Sequence, residues 1–132
     1  MIELVDHTGE LELRLSGPTQ ADLYEEALRA LAAETSERGG TDPLVRRPLA
    51  ISASGPDTLL VDLVNEAIFL METESLVPTG LEVAQLSATD LSGELSGHLD
   101  PDLRPLAKAA TYHGLSVRGG PGGWEARLVL DV

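Results

Sequence analysis

A chain of 132 residues is one ordinary domain's worth of polypeptide, and 42% apolar content with only 3% aromatics means a core built from Leu, Val, Ile and Ala. With no cysteine, disulfide frameworks, thiolate metal sites and thiol nucleophiles are excluded, so any metal must be held by oxygen or imidazole. The formal net charge of -13 opposes approach to a phosphate backbone, so no direct nucleic-acid binding is expected, whereas a basic partner surface or a cation is favoured.

The chain opens without a long apolar run, so neither a signal peptide nor a membrane span is expected, and a single cytoplasmic domain over residues 1–132 is the default. A polar cluster, Asp6, His7, Thr8, Gly9 and Glu10, places acids and an imidazole on one short turn. It runs into Leu11, Leu13 and Leu15, which alternate with Glu12 and Arg14 as a half-buried strand does. The leucines take the core face, which leaves Glu10 and Glu12 on the other face, free to bind. Gly17-Pro18-Thr19 then breaks the strand, and Thr19 with Asp22 forms a capping box for a first helix. Tyr24, Ala27, Leu28 and Leu31 recur at helical spacing, and the helix should end before Gly39-Gly40.

Pro48 disfavours a central strand, so the next strand is expected to start at or just before Leu49. Gly55-Pro56-Asp57 opens a second helix over residues 57–73, the most apolar element of the chain. Its apolar arc is broad enough to need cover on more than one side, which makes it the centre of the core. Beyond Pro78-Thr79-Gly80 come strands over residues 81–86 and 91–98, with His98 expected at the surface or a strand edge, and then a loop to Pro105. The last third reads as a long hairpin, residues 108–118 and 124–132, turned by a glycine cluster at 119–123. That cluster lies between two strands and so lacks the helix N-terminus that a phosphate-binding loop uses. Antiparallel strands with two helices give an α+β two-layer sandwich.

Three constellations could carry chemistry. Asp6, His7 and Glu10 form the first. At the carboxyl end, Asp131 beside the terminal carboxylate of Val132 offers hard oxygen ligands, which a third carboxylate such as Glu10 would complete for calcium or magnesium. The third is the stretch from Lys108, the only lysine beside eight arginines, through Tyr112 to His113. Tyr112 and His113 fall on opposite faces of a flat strand and cannot both serve one site. Neither a nucleophile elbow nor any zinc or EF-hand motif is present.

The ordered motifs His7-Thr8-Gly9-Glu10, the Leu-Leu-Val-Asp-Leu-Val-Asn-Glu of residues 59–66, the Glu-Ser-Leu-Val of 74–77, the Lys-Ala-x-Thr-Tyr-His of 108–113 and the closing Asp131-Val132 resemble the archease family. That resemblance implies a small α+β protein, itself no enzyme, that assists the GTP-dependent RNA ligase of tRNA splicing by promoting ligase guanylylation and repeated turnover. It also implies a divalent-metal site, calcium by preference with magnesium or manganese as alternatives, at Glu10, Asp131 and Val132. Lys108 and His7 are then candidates for contact with the partner or a nucleotide, and Tyr112 and His113 for support. Gly9 and Glu10 depart from the family's usual alanine and aspartate. Two readings compete: an autonomous metal-dependent hydrolase using Glu10 and Asp131 as ligands and His7 as base, and a chaperone-like interaction module.

Overall fold

Nine buried apolar residues, from Leu59 to Met71, surround most of the helix α2 (Pro56–Glu74). Thr58 starts it by accepting the Gly55 N–H through Oγ1 (3.0 Å), with Pro56 in the first turn. Ser75 ends it in the left-handed region (φ 56°), its N–H donating to the Met71 carbonyl (3.2 Å). A helix apolar over so wide an arc must be enclosed, and α2 packs against strands of two different sheets and against the other helix, α1 (Gln20–Thr35). It is the centre of the core, as its sequence indicates.

The computed structural model describes residues 2–5, 9–35, 44–105 and 107–132, the first four through their backbone. The described residues form seven strands: β1 (Ile2–Val5), β2 (Glu10–Gly17), β3 (Val45–Ser52), β4 (Leu76–Leu86), β5 (Asp90–Leu99), β6 (Ala109–Gly120) and β7 (Gly123–Asp131). They form a four-stranded sheet in the order β1-β2-β7-β6 and a three-stranded sheet in the order β3-β5-β4, with every pairing antiparallel. The fold is α+β. The strands are divided between two sheets, and α1 and α2 each touch both. Tyr24 ties the helices together: its buried hydroxyl donates to the Pro56 carbonyl (2.7 Å) and accepts from Gln20 Nε2 (3.0 Å). Burial of that hydroxyl pushes the Tyr24 phenol up to about 12. Among the described residues, no helix is long and apolar enough to cross a membrane.

Several local expectations hold. Leu11, Leu13 and Leu15 are buried on one face of β2, and Thr19 and Asp22 exchange the two bonds that open α1 (3.1 and 2.8 Å). The glycine cluster is a hairpin tip, with Gly120 paired to Gly123. The end of α1 before Gly39-Gly40 lies outside the described residues.

Other expectations are corrected. Strand β3 runs through Pro48 from Val45, because it lies at the edge of its sheet, where a missing N–H costs no ladder bond. Strand β4 starts at Leu76, immediately after α2, and absorbs the Pro78-Thr79-Gly80 signal as a register shift between Pro78 and Gly80. His98 is 1% exposed, with no hydrogen-bond partner for either ring nitrogen among the described residues, so it is a core residue and not a surface one. Strand β1 adds an edge that the sequence pattern did not announce.

Candidate functional site

The register of the four-stranded sheet assembles the site. Glu10, the first residue of β2, is the direct partner of Asp131, the last residue of β7, and Asp131 is in turn the partner of Ala109 on β6. Two further backbone bonds lock this end: the Val132 N–H donates to the Gly9 carbonyl (2.8 Å), and the Lys108 N–H donates to the Asp131 carbonyl (2.7 Å). Gly9 holds φ +67°, a conformation that a side chain resists, and a Cβ there would sit 3.6 Å from the Val132 carbonyl oxygen. The stretches 9–10, 108–109 and 131–132 are thereby brought side by side from the two ends of the sequence.

Direct cross-strand partners point to the same face, with Cβ atoms about 5 Å apart. On β2 the core face belongs to Leu11, Leu13 and Leu15, so Glu10 and Asp131 project from the outer face. Glu10 is half-buried and Asp131 exposed. Two carboxylates so placed repel, and among the described residues neither has a basic side-chain partner to offset the repulsion. A cation between them would remove that cost, and carboxylate oxygens are the donors that calcium and magnesium take. Among the described residues, no group of three or more His, Asp or Glu side chains is arranged to hold a metal.

The other residues singled out from the sequence fall in different places. Glu12 is not free: it is 4% exposed, bonded through Oε1 to Arg127 Nε and through Oε2 to Arg14 Nε (3.1 Å). The Arg127 hydrogen bond, reinforced by Arg14 and opposed by burial, holds its carboxyl below the usual carboxylate range. Lys108 joins the site through its backbone, and its side chain is exposed. Tyr112 points elsewhere: its hydroxyl lies 3.4 Å from Asp62 on α2, whose negative charge raises the phenol above its ordinary value. Tyr112 and His113 lie where β6 slips register against β7, between Thr111 and Ser116. The strict alternation that sent them to opposite faces fails there, and both are exposed. Among the described interactions, the Tyr112 side chain bonds to Asp62 and not to Glu10 or Asp131. Asp6 and His7 lie outside the described residues.

One supporting residue was not singled out from the sequence. Asn65 of α2 accepts the Ala110 N–H (2.7 Å) through Oδ1 and donates to the Ala110 carbonyl (3.3 Å) through Nδ2. Because β6 is an edge strand, these backbone groups face away from the sheet, and one amide satisfies both. Asn65 thus fixes the strand start that carries Lys108 and Ala109. Its signal was a carboxamide in the narrow polar stripe of an otherwise apolar helix.

A model of the Archease protein family matches residues 2–132. Protein archease of Methanopyrus kandleri is 30% identical over 139 residues, covering 98% of each chain, and protein archease of Methanosarcina mazei is 24% identical over 98% of this chain and 94% of its own. Among solved structures, protein 1598 of Methanobacterium thermoautotrophicum superposes with a TM-score of 0.75 at 20% identity, over 99% of this chain and 98% of that one. An archease of Thermotoga maritima, described as a possible chaperone, superposes with a TM-score of 0.69 at 19% identity, over 100% of this chain and 98% of that one. With the fold shared and the family model covering almost every residue, the chain belongs to the archease family.

Proposed function

We propose that this protein is an accessory factor of the GTP-dependent RNA ligase of tRNA splicing. It promotes guanylylation of the ligase and its repeated turnover, and it catalyses no reaction of its own. The observation that supports the reading is the direct pairing of Glu10 with Asp131, two residues that the resemblance to archease implies as metal ligands. Glu10 and Asp131, with the carboxylate of Val132 as a further oxygen donor, are the ligands we assign to a divalent cation, calcium in the first instance. Bound there, the cation supplies positive charge at an otherwise acidic end, which suits it to meet phosphate or carboxylate groups in a ligase active site. The net charge of -13 supports docking on a basic protein surface, and Lys108, exposed beside the site, is the group placed to reach a partner or nucleotide.

The test combines the cognate ligase, GTP, divalent metal and broken RNA, with and without this protein. Faster ligase guanylylation and multiple turnover are expected, and both should fail with Asp131→Ala that remains folded. Calorimetry with calcium separates the metal from the partner: equal affinity in wild type and Asp131→Ala would remove Asp131 from the ligand set. The description of the Thermotoga relative favours a second reading, a chaperone-like module. On that reading the ligase would be protected from aggregation, while Glu10→Ala, Asp131→Ala and Lys108→Ala would all retain full effect.

A further inference from the structure

The chain has a single phenylalanine, and it is spent on the surface: Phe69 of α2 is 55% exposed. A lone exposed apolar residue is ordinary, but Phe69 stands in the polar stripe of a helix whose other large apolar residues are all buried. Asp62 and Glu66 precede it by seven and three residues on the same helix face, so the row runs for two turns, about 10 Å. Glu72 flanks Phe69 one turn further on. At the other end of the row the Tyr112 ring, 60% exposed, lays its hydroxyl 3.4 Å from Asp62. Two of the chain's four aromatic side chains thus bracket a row of acids on the outside of the molecule.

The acids are not spoken for within the fold. Among the described residues, Glu66 and Glu72 form no ion pair, and Asp62 meets only the Tyr112 hydroxyl. Arg47, at the end of α2, is held by Glu74 (2.7 Å). Across residues 108–113 the basic groups are Lys108 and His113, both exposed and neither paired with these acids, so even with both charged the three carboxylates are in excess. The row also abuts the candidate site: Asn65, one position before Glu66, holds Ala110, and the adjoining Ala109 is the partner of Asp131. A body seated on α2 therefore lies beside the sheet end that carries Glu10 and Asp131.

We propose that the outer face of α2 is a docking ridge for a basic protein surface, one that presents arginine or lysine to Asp62, Glu66 and Glu72 and takes Phe69 into an apolar recess. Assigning that surface to the ligase rests on the proposed function. Aromatic rings supply apolar area and accept a guanidinium against their faces, while carboxylates fix its register through charge-assisted bonds. A second copy of this chain, at net charge -13, would set acids against acids, and an anionic membrane would be repelled in the same way.

Calorimetry of the full chain with the cognate ligase tests it, with ligase guanylylation read in parallel. Phe69→Ala and Glu66→Lys should each weaken binding at least about tenfold, with circular dichroism spectra and calcium affinity unchanged. Added salt should weaken wild-type binding more steeply than that of Glu66→Lys. Wild-type affinity in both folded variants would overturn the ridge and leave the activator role standing. Binding that the variants weaken, without any gain in guanylylation by the wild type, would uphold the ridge and remove the activator role. No binding of the wild type would overturn both. Self-association of the wild type in sedimentation, abolished by Phe69→Ala, would give the face to a second copy and overturn the basic-partner assignment.

Discussion

Replacing Glu12 with Gln removes the charge that joins β2 to β7 on the outer face while leaving the side chain's shape. The carboxylate is buried, with its side chain 5% exposed, and the two arginines that it serves are 57% and 51% exposed. A hydrogen bond to a charged group contributes about 1.5–3 kcal/mol when shielded, and solvent screening of half-exposed guanidiniums reduces each to roughly 1–1.5 kcal/mol. Two such bonds give a loss of about 2–3 kcal/mol, because the amide's NH₂ would also face an arginine donor. For a domain of this size that corresponds to a fall in Tm of about 7–11 °C.

The pH dependence separates charge from shape. The Glu12 carboxyl titrates lower in the folded protein than in the unfolded chain, chiefly through Arg127, so its contribution is complete above the unfolded value of 4.5. That contribution disappears as pH falls through the lowered folded value. Thermal unfolding of wild type and Glu12→Gln, followed by circular dichroism from pH 7 to pH 3, should show a full gap at neutral pH that narrows below about 4.5. A gap that stays constant to the acid limit would refute the electrostatic account, and so would the absence of any gap at neutral pH.

Tyr24→Phe removes the donor to the Pro56 carbonyl and one of the two acceptors of Gln20 Nε2, which keeps the Ser87 carbonyl, and should cost about 1–2 kcal/mol by denaturant unfolding, with an unchanged fold. Asn65→Ala strips both bonds from Ala110 on the edge of β6; a loss of about 1–3 kcal/mol is expected, together with faster amide exchange at residue 110. His98→Leu should raise stability by about 1 kcal/mol, because a buried imidazole with neither nitrogen bonded gives way to an apolar side chain. A lower Tm for that variant would show that the ring's packing outweighs its unmet polar groups.

What could be read from the sequence follows the range of the forces involved. The leucine alternation of β2 and the broad apolar arc of α2 are local patterns, and both fixed burial correctly. Pro48 misled because whether a strand lies at an edge depends on which other strands join the sheet. Glu12 looked free because its principal partner, Arg127, is 115 residues away in sequence. His98 looked superficial because alternation along β5 does not reveal what covers it. For the candidate site, each carboxylate was visible separately, and the ordered motifs suggested that they belong together. The register that sets Glu10 opposite Asp131 depends on β2 and β7 meeting as neighbours, which no local pattern encodes.

That pairing also bears on how the protein is made. In the order β1-β2-β7-β6, the two middle strands come from opposite ends of the sequence, so β2 emerges from the ribosome long before the strand that will complete it. Until then its inner row of Leu11, Leu13 and Leu15 lies beside an open edge, the arrangement most prone to pairing with another chain. Closing the sheet requires a contact across nearly the whole polypeptide, which places it among the slow steps of folding. Glu10 acquires its partner carboxylate only in that step, so a nascent or truncated chain lacking β7 has no such carboxylate pair to offer.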